Sequence, residues 1–201
     1  MRSEAPALLP IFRSQHQADL LTLLLLHPSE EYTATDLANR LEVPLTTIHR
    51  ETQRLIEADL LTARTVGRSR LLRANTANRV IEPLTHLLTV TFGPHIVLSD
   101  AFADIPGIDL LLIYGSWATR YHGEPGPTPN DVDVLVVGHA DRTAIYEAAD
   151  KAEQRLGFPV NPTLSTPRRW TQASDALIQE IKNSPTVVVF DRHNPEQQEA
   201  Q

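Results

Sequence analysis

No cysteine occurs in the 201 residues of this chain. Disulfide frameworks and thiolate metal sites are thereby excluded, which suits a reducing compartment. Long hydrophobic runs are missing too. The most apolar stretch, "LLTLLLLHP", stops at Pro28, far short of the roughly 20 residues a bilayer span requires. It predicts a buried first helix. No basic-then-apolar signal pattern opens the chain. The expected location is therefore cytoplasmic, with no membrane among the partners. Internal repeats and long low-complexity segments are absent as well. The closing "HNPEQQEAQ" is polar and is expected to fray.

An excess of positive charge is also lacking. The formal net charge is -7, which argues against wholesale coating of nucleic acid. The charge is uneven, however. Residues 1–99 carry ten Lys/Arg and ten Asp/Glu, whereas residues 100–201 carry eight against fifteen. Such asymmetry between halves points to two jobs. Hydrophobic residues make up 41%, enough for a proper core, and the fifteen prolines cluster in loops.

In the first half, "TDLANRL" predicts a short helix capped by Thr33 or Thr35, with Leu37, Ala38 and Leu41 inward. After the tight connection "EVP", a second helix is expected from Leu45 to Ala58. Leu45, Ile48, Leu55 and Ile56 form its apolar side. Thr46, Thr47, His49, Arg50, Gln53 and Arg54 line the other side, and Glu51, Glu57 and Asp59 dilute that patch. Arginine can bond two acceptors on guanine and glutamine can read adenine, while threonine and histidine reach phosphates or bases. A hairpin is expected next, with Leu61–Val66 as one strand, Gly67-Arg68-Ser69 as the tip and Arg70–Ala74 as the return. Residues 64–73 hold four arginines and no acid.

This order of helix, turn, helix and basic hairpin resembles the winged helix-turn-helix of bacterial regulators of the ArsR and MarR type, over roughly residues 16–75. The resemblance implies double-stranded DNA as partner. Thr46, Thr47, His49, Arg50, Gln53 and Arg54 would then enter a major groove, and Arg64, Arg68 and Arg70 of the wing would grip the flanking backbone. The diluted patch suggests that affinity needs a homodimer. Residues 76–104 read as a helical segment interrupted near Gly93-Pro94, either a linker and dimer interface or plain packing through Val80, Leu84, Leu87 and Leu88.

In the second half, "IDLLLIYGSWA" is an apolar strand ending in Gly115-Ser116, where a helix can begin. Glycine lets the backbone turn tightly and approach a ligand, and a helix N-terminus favours phosphate. "DVDVLVVG" is the next strand, and its period of two puts Asp131 and Asp133 on one face. Two such carboxylates repel unless a cation neutralises them, and Mg²⁺ is commonly held by few carboxylates plus substrate phosphates. Gly-Ser followed by Asp-x-Asp on the neighbouring strand resembles the nucleotidyltransferase superfamily of DNA polymerase beta, kanamycin nucleotidyltransferase and the minimal nucleotidyltransferases, over roughly residues 105–190. The resemblance implies that Gly115 and Ser116 contact the phosphates of a nucleoside triphosphate. Asp131 and Asp133 would be the catalytic aspartates and the ligands of Mg²⁺ or Mn²⁺. Arg120 could lie over the triphosphate.

The chain departs from that pattern in three ways. A Pro/Gly loop, "HGEPGPTP", lengthens the spacer, and Asn130 stands where serine is common. The strand expected to bring a third carboxylate, "GFPVNPTLS", has none, and Asn161 is its nearest polar residue. An amide cannot act as general base. Asp175, Glu180 and Asp191 are the substitutes within reach in sequence.

The expected architecture is α+β. A winged helix-turn-helix spans 1–75 and a helical segment 76–104. A nucleotidyltransferase-like mixed-sheet domain follows over 105–192, with a tail over 193–201. The expected function is a DNA-binding transcriptional regulator whose second domain binds nucleotide and divalent metal as a sensor. The alternative is an active nucleotidyltransferase modifying a protein, an RNA or a small hydroxyl compound. Resemblance to the minimal nucleotidyltransferase antitoxins adds a partner toxin to those acceptors.

Overall fold

The structure is a computed structural model that describes residues 12–173 and 175–194. It divides into two compact units at Gly93/Pro94. The segment read as a linker is thereby shared, with one helix in each unit. Most of the polar tail lies outside the described residues.

The first unit is built on α1 (Gln15–Leu26), which starts at Ser14, whose hydroxyl accepts from the Gln17 amide. The leucines of "LLTLLLL" are buried around it, so the apolar run is a core helix, as the sequence predicts. The second helix, α2 (Ala34–Leu41), opens with a capping box between Thr33 and Asp36 and closes at Glu42, whose φ is 54°. The third, α3 (Leu45–Glu57), buries Ile48, Glu51, Thr52 and Leu55. The sequence expectation for α3 needs correcting at two residues. Spacing puts Leu45 on the inner side, but it is 41% exposed, because the first turn of α3 projects past the core. Charge puts Glu51 in the outer patch, yet it falls on the stripe between Ile48 and Leu55 and is buried.

Strands β1 (Leu61–Val66) and β2 (Ser69–Ala74) pair antiparallel, with Val66 opposite Ser69. Gly67 has a φ of +60° at the first central position of this two-residue turn, where a hairpin favours glycine. A bridge from Tyr32 to Leu72 joins the hairpin to the chain ahead of α2. Helix α4 (Ile81–Phe92) packs on α1, and Phe92 meets Phe12 edge to face at 5.3 Å. Leu84 and Leu88 join that core, whereas Val80, expected inside from the sequence, is half exposed at the helix start.

The second unit runs α5 (Pro94–Phe102), β3 (Ile108–Tyr114), α6 (Gly115–Tyr121), β4 (Val132–Gly138), α7 (Arg142–Leu156), β5 (Val160–Ser165), α8 (Pro167–Gln172), α9 (Ala176–Asn183) and β6 (Val187–Asp191). The sheet order is β5-β4-β3-β6. Pairing is antiparallel for β3 with β4 and with β6, and parallel for β4 with β5 across the α7 crossover. Leu110, Leu112, Leu135 and Val137 pack against Ile178 and Ile181 of α9 on one face. Leu111, Ile113, Val134 and Val136 alternate to the other face and are buried as well. Burial on both faces explains the unbroken apolar runs of β3 and β4. The molecule is α+β: helices with a hairpin wing, then a mixed four-stranded sheet. Among the described residues no helix is long and apolar enough to cross a membrane.

Candidate functional site

The second unit gathers its chemistry where β3 ends. Gly115 opens α6 with a φ of +73°, a conformation L side chains rarely adopt. A Cβ there would sit 2.8 Å from Asp133 Oδ2. Glycine thus serves both the turn and the close approach of the carboxylate. Ser116 is exposed in the first turn of the helix. Asp133 lies opposite Tyr114 on β3 and opposite Asn161 on β5. Register therefore places the Gly-Ser turn, the Asp-x-Asp pair and the residue standing in for a third acid side by side.

The Asn161 amide donates to Asp131 Oδ2 at 2.9 Å and to Asp133 Oδ1 at 3.3 Å. One neutral group thus bridges both carboxylates, and among the described residues neither aspartate has an ion-pair partner. Burial raises the Asp133 carboxyl above its ordinary range; the Asn161 bond lowers it, and the Asp131 charge raises it further. Two residues along β5, the hydroxyls of Thr163 and Tyr114 lie 3.0 Å apart. The Tyr114 phenol is also raised, chiefly by burial, against the Thr163 bond and with the charges of Asp133, Asp131 and Glu180 adding to the effect.

The donor set fits a divalent cation. Two adjacent carboxylates lack a counter-charge, which a metal would supply, and an amide presents its oxygen to a cation after a half turn. No group of three or more His, Cys, Asp or Glu side chains stands together among the described residues. The acids named as substitutes are distributed differently. Asp175 caps α9 through the Ile178 amide and pairs with Arg169. Asp191 accepts from the amides of His193 and Asn194, opposite Leu110 at the far end of β3. Glu180 is exposed on α9, and its charge is felt at Tyr114.

Arg120 turns into the inserted loop. Its guanidinium donates to the Glu124 carbonyl and occupies the space where a Cβ on Gly126 would fall. The loop, rather than the aspartate pair, is the neighbour the structure gives it. Sequence reasoning has no signal for this contact, which needs the bare backbone of one particular loop glycine.

In the first unit, Thr46, His49, Arg50 and Gln53 are exposed on α3, with Thr47 and Arg54 partly so. The arginines are not free. Glu51 Oε1 accepts from Arg54 at 2.8 Å and from Arg50 at 3.3 Å. Gln53 bonds Glu57 at 3.0 Å. On the wing, Arg64 forms a two-pronged pair with Glu31. Arg68 and Arg70 are exposed at the tip with no ion-pair partner among the described residues.

No protein-family model matches the chain, and no curated protein matches it. Solved structures are similar over part of it. Reduced HlyU from Vibrio cholerae is 18% identical, covering 40% of this chain and 80% of that one, with a TM-score of 0.33. The homodimeric winged helix-turn-helix domain Mb0332 from Mycobacterium bovis, a possible ArsR-family regulator, is 20% identical over 45% of this chain and 88% of that one, with a TM-score of 0.30. A chain from the tri-AMPylated Shewanella oneidensis HEPN toxin in complex with MNT antitoxin is 19% identical over 52% of this chain and 75% of that one, with a TM-score of 0.34. At such TM-scores the fold rests on element order and strand register instead. By those, the chain is a helical unit with a β-hairpin wing in winged helix-turn-helix order, followed by a mixed four-stranded sheet unit.

Proposed function

We propose that the chain is a DNA-binding transcriptional regulator whose second unit binds nucleotide and divalent metal as a sensor. The observation that carries this reading is the Asn161 bridge between Asp131 and Asp133. Asparagine occupies the β5 position facing the aspartates, and an amide cannot take a proton from an attacking hydroxyl. Asp131 and Asp133 would hold Mg²⁺ or Mn²⁺, with the Gly115-Ser116 turn against the phosphates of a nucleoside triphosphate. The metal, when bound, would neutralise phosphate charge. Arg120 anchors the loop beside that turn. Nucleotide would shift the population between dimer geometries only through different affinities for the two. The homodimer and the cytoplasmic location belong to this proposal.

The test is incubation of the full chain with labelled nucleoside triphosphates and Mg²⁺. Binding without pyrophosphate release is expected, and Asp131→Ala or Asp133→Ala should abolish it. Asn161→Asp should raise metal affinity at least about tenfold, equivalent to roughly 1.4 kcal/mol. Pyrophosphate release by the wild type that is lost in Asp133→Ala would replace the sensor reading with the enzymatic one. Glu180, exposed on α9 with its charge felt at Tyr114, is the acid this second reading would call on. A partner protein, an RNA or a small hydroxyl compound would then be the acceptor. The AMPylated toxin of the Shewanella complex illustrates the first of these acceptors.

A further inference from the structure

The groups best suited to reading guanine on α3 are tied down. Arg54 and Arg50 both donate to the buried Glu51 carboxylate, and the Gln53 amide is engaged by Glu57. The groups left standing at the start of the helix are of a different kind. Leu45 opens α3 and is 41% exposed. Pro44 precedes it without a side-chain cap, so no capping side chain covers this end. Thr46 and His49 are exposed on the following turn.

A recognition helix presents its N-terminal residues to base edges. The one apolar group on the major-groove edge of any base pair is the C5 methyl of thymine. An aliphatic side chain at that end of the helix, with the arginines held back, matches an A·T pair rather than a G·C pair. We propose that α3 reads thymine through its C5 methyl and that Leu45 is the specificity-determining residue. The proposal rests on the reading of the first unit as DNA-binding.

Duplexes selected by the full-length chain from random-sequence DNA provide the probe. The best-bound duplex is then synthesised a second time with deoxyuridine in place of thymidine, which removes only the methyl groups. The wild type should bind the deoxyuridine copy ~3- to 5-fold more weakly for each methyl it covers, the worth of about one buried CH₂ group. Leu45→Ala, at an exposed position that leaves the core intact, should bind both copies alike. Equal binding of the two copies by the wild type would overturn the inference while leaving DNA binding in place. Undiminished discrimination by Leu45→Ala would overturn it too, assigning the effect to another group or to DNA shape. Failure to enrich any sequence would overturn the DNA-binding reading itself, and this inference with it.

Discussion

Gly115 concentrates two demands in one residue. Its φ of +73° and the 2.8 Å approach of Asp133 Oδ2 both exclude a β-carbon. Gly115→Ala should therefore destabilise the second unit by about 1–3 kcal/mol, the usual range for one strained backbone position. It should also displace Asp133 and weaken nucleotide binding. Chemical unfolding of the full chain and nucleotide titration check the two effects, and an unchanged unfolding midpoint would show that the turn relaxes without strain. The need for glycine was legible in the sequence, because an apolar strand ending in Gly-Ser leaves few other reasons for it. Asn161 was legible as the nearest polar candidate on β5. Its grip on both aspartates was not, since that depends on the parallel register of Asp133 with Asn161 across the α7 crossover.

At the scale of elements, the wing and α3 show how charge counted along the chain differs from charge available to a partner. Four arginines fall within residues 64–73, yet Arg64 is taken up by Glu31, ahead of α2. Double substitution Arg68→Ala/Arg70→Ala should flatten the slope of log affinity against log salt by about 2, close to one unit for each phosphate no longer neutralised. Arg64→Ala should change the slope by much less. Binding isotherms at several salt concentrations measure both, and equal effects of the single and double variants would reject the assignment. Periodicity finds α3 and its bounds but misjudges the exposure of two of its side chains. Leu45 fits the helical stripe by spacing, but the stripe extends one turn beyond the core it serves. Glu51 lies on the buried stripe by the same spacing, and its charge suggests an outward placement that the pairing with Arg50 and Arg54 overrides.

For the molecule as a whole, each unit has its own core, and the second contains a residue that makes it sensitive to acid. His95 on α5 lies edge to face with Tyr121 at 5.4 Å, and burial depresses its pKa from 6.5 to about 4. Between those values the unfolded chain takes up a proton that the folded one refuses. Stability of the second unit should therefore fall as pH drops from about 6.5 to about 4, by on the order of 2–3 kcal/mol. His95→Phe keeps a ring against Tyr121 and removes the titrating group. It should flatten that part of the profile, which unfolding measured across the window will reveal. Identical pH profiles for the two proteins would mean that His95 is solvated when folded.

The sequence by itself determined the helix-turn-helix with its hairpin and the strands β3 and β4, and it named the groups proposed for the second site. Helix periodicity, caps, strand alternation and the Gly-Ser turn act over a few residues, and local sterics suffice to read them. Only the tertiary structure decided which charges remain available. Glu31 claims Arg64 from 33 positions away, a loop glycine makes room for Arg120, and one amide spans two carboxylates 28 and 30 positions back along the chain. Such pairings arise from the register of distant segments, and composition carries no record of that register.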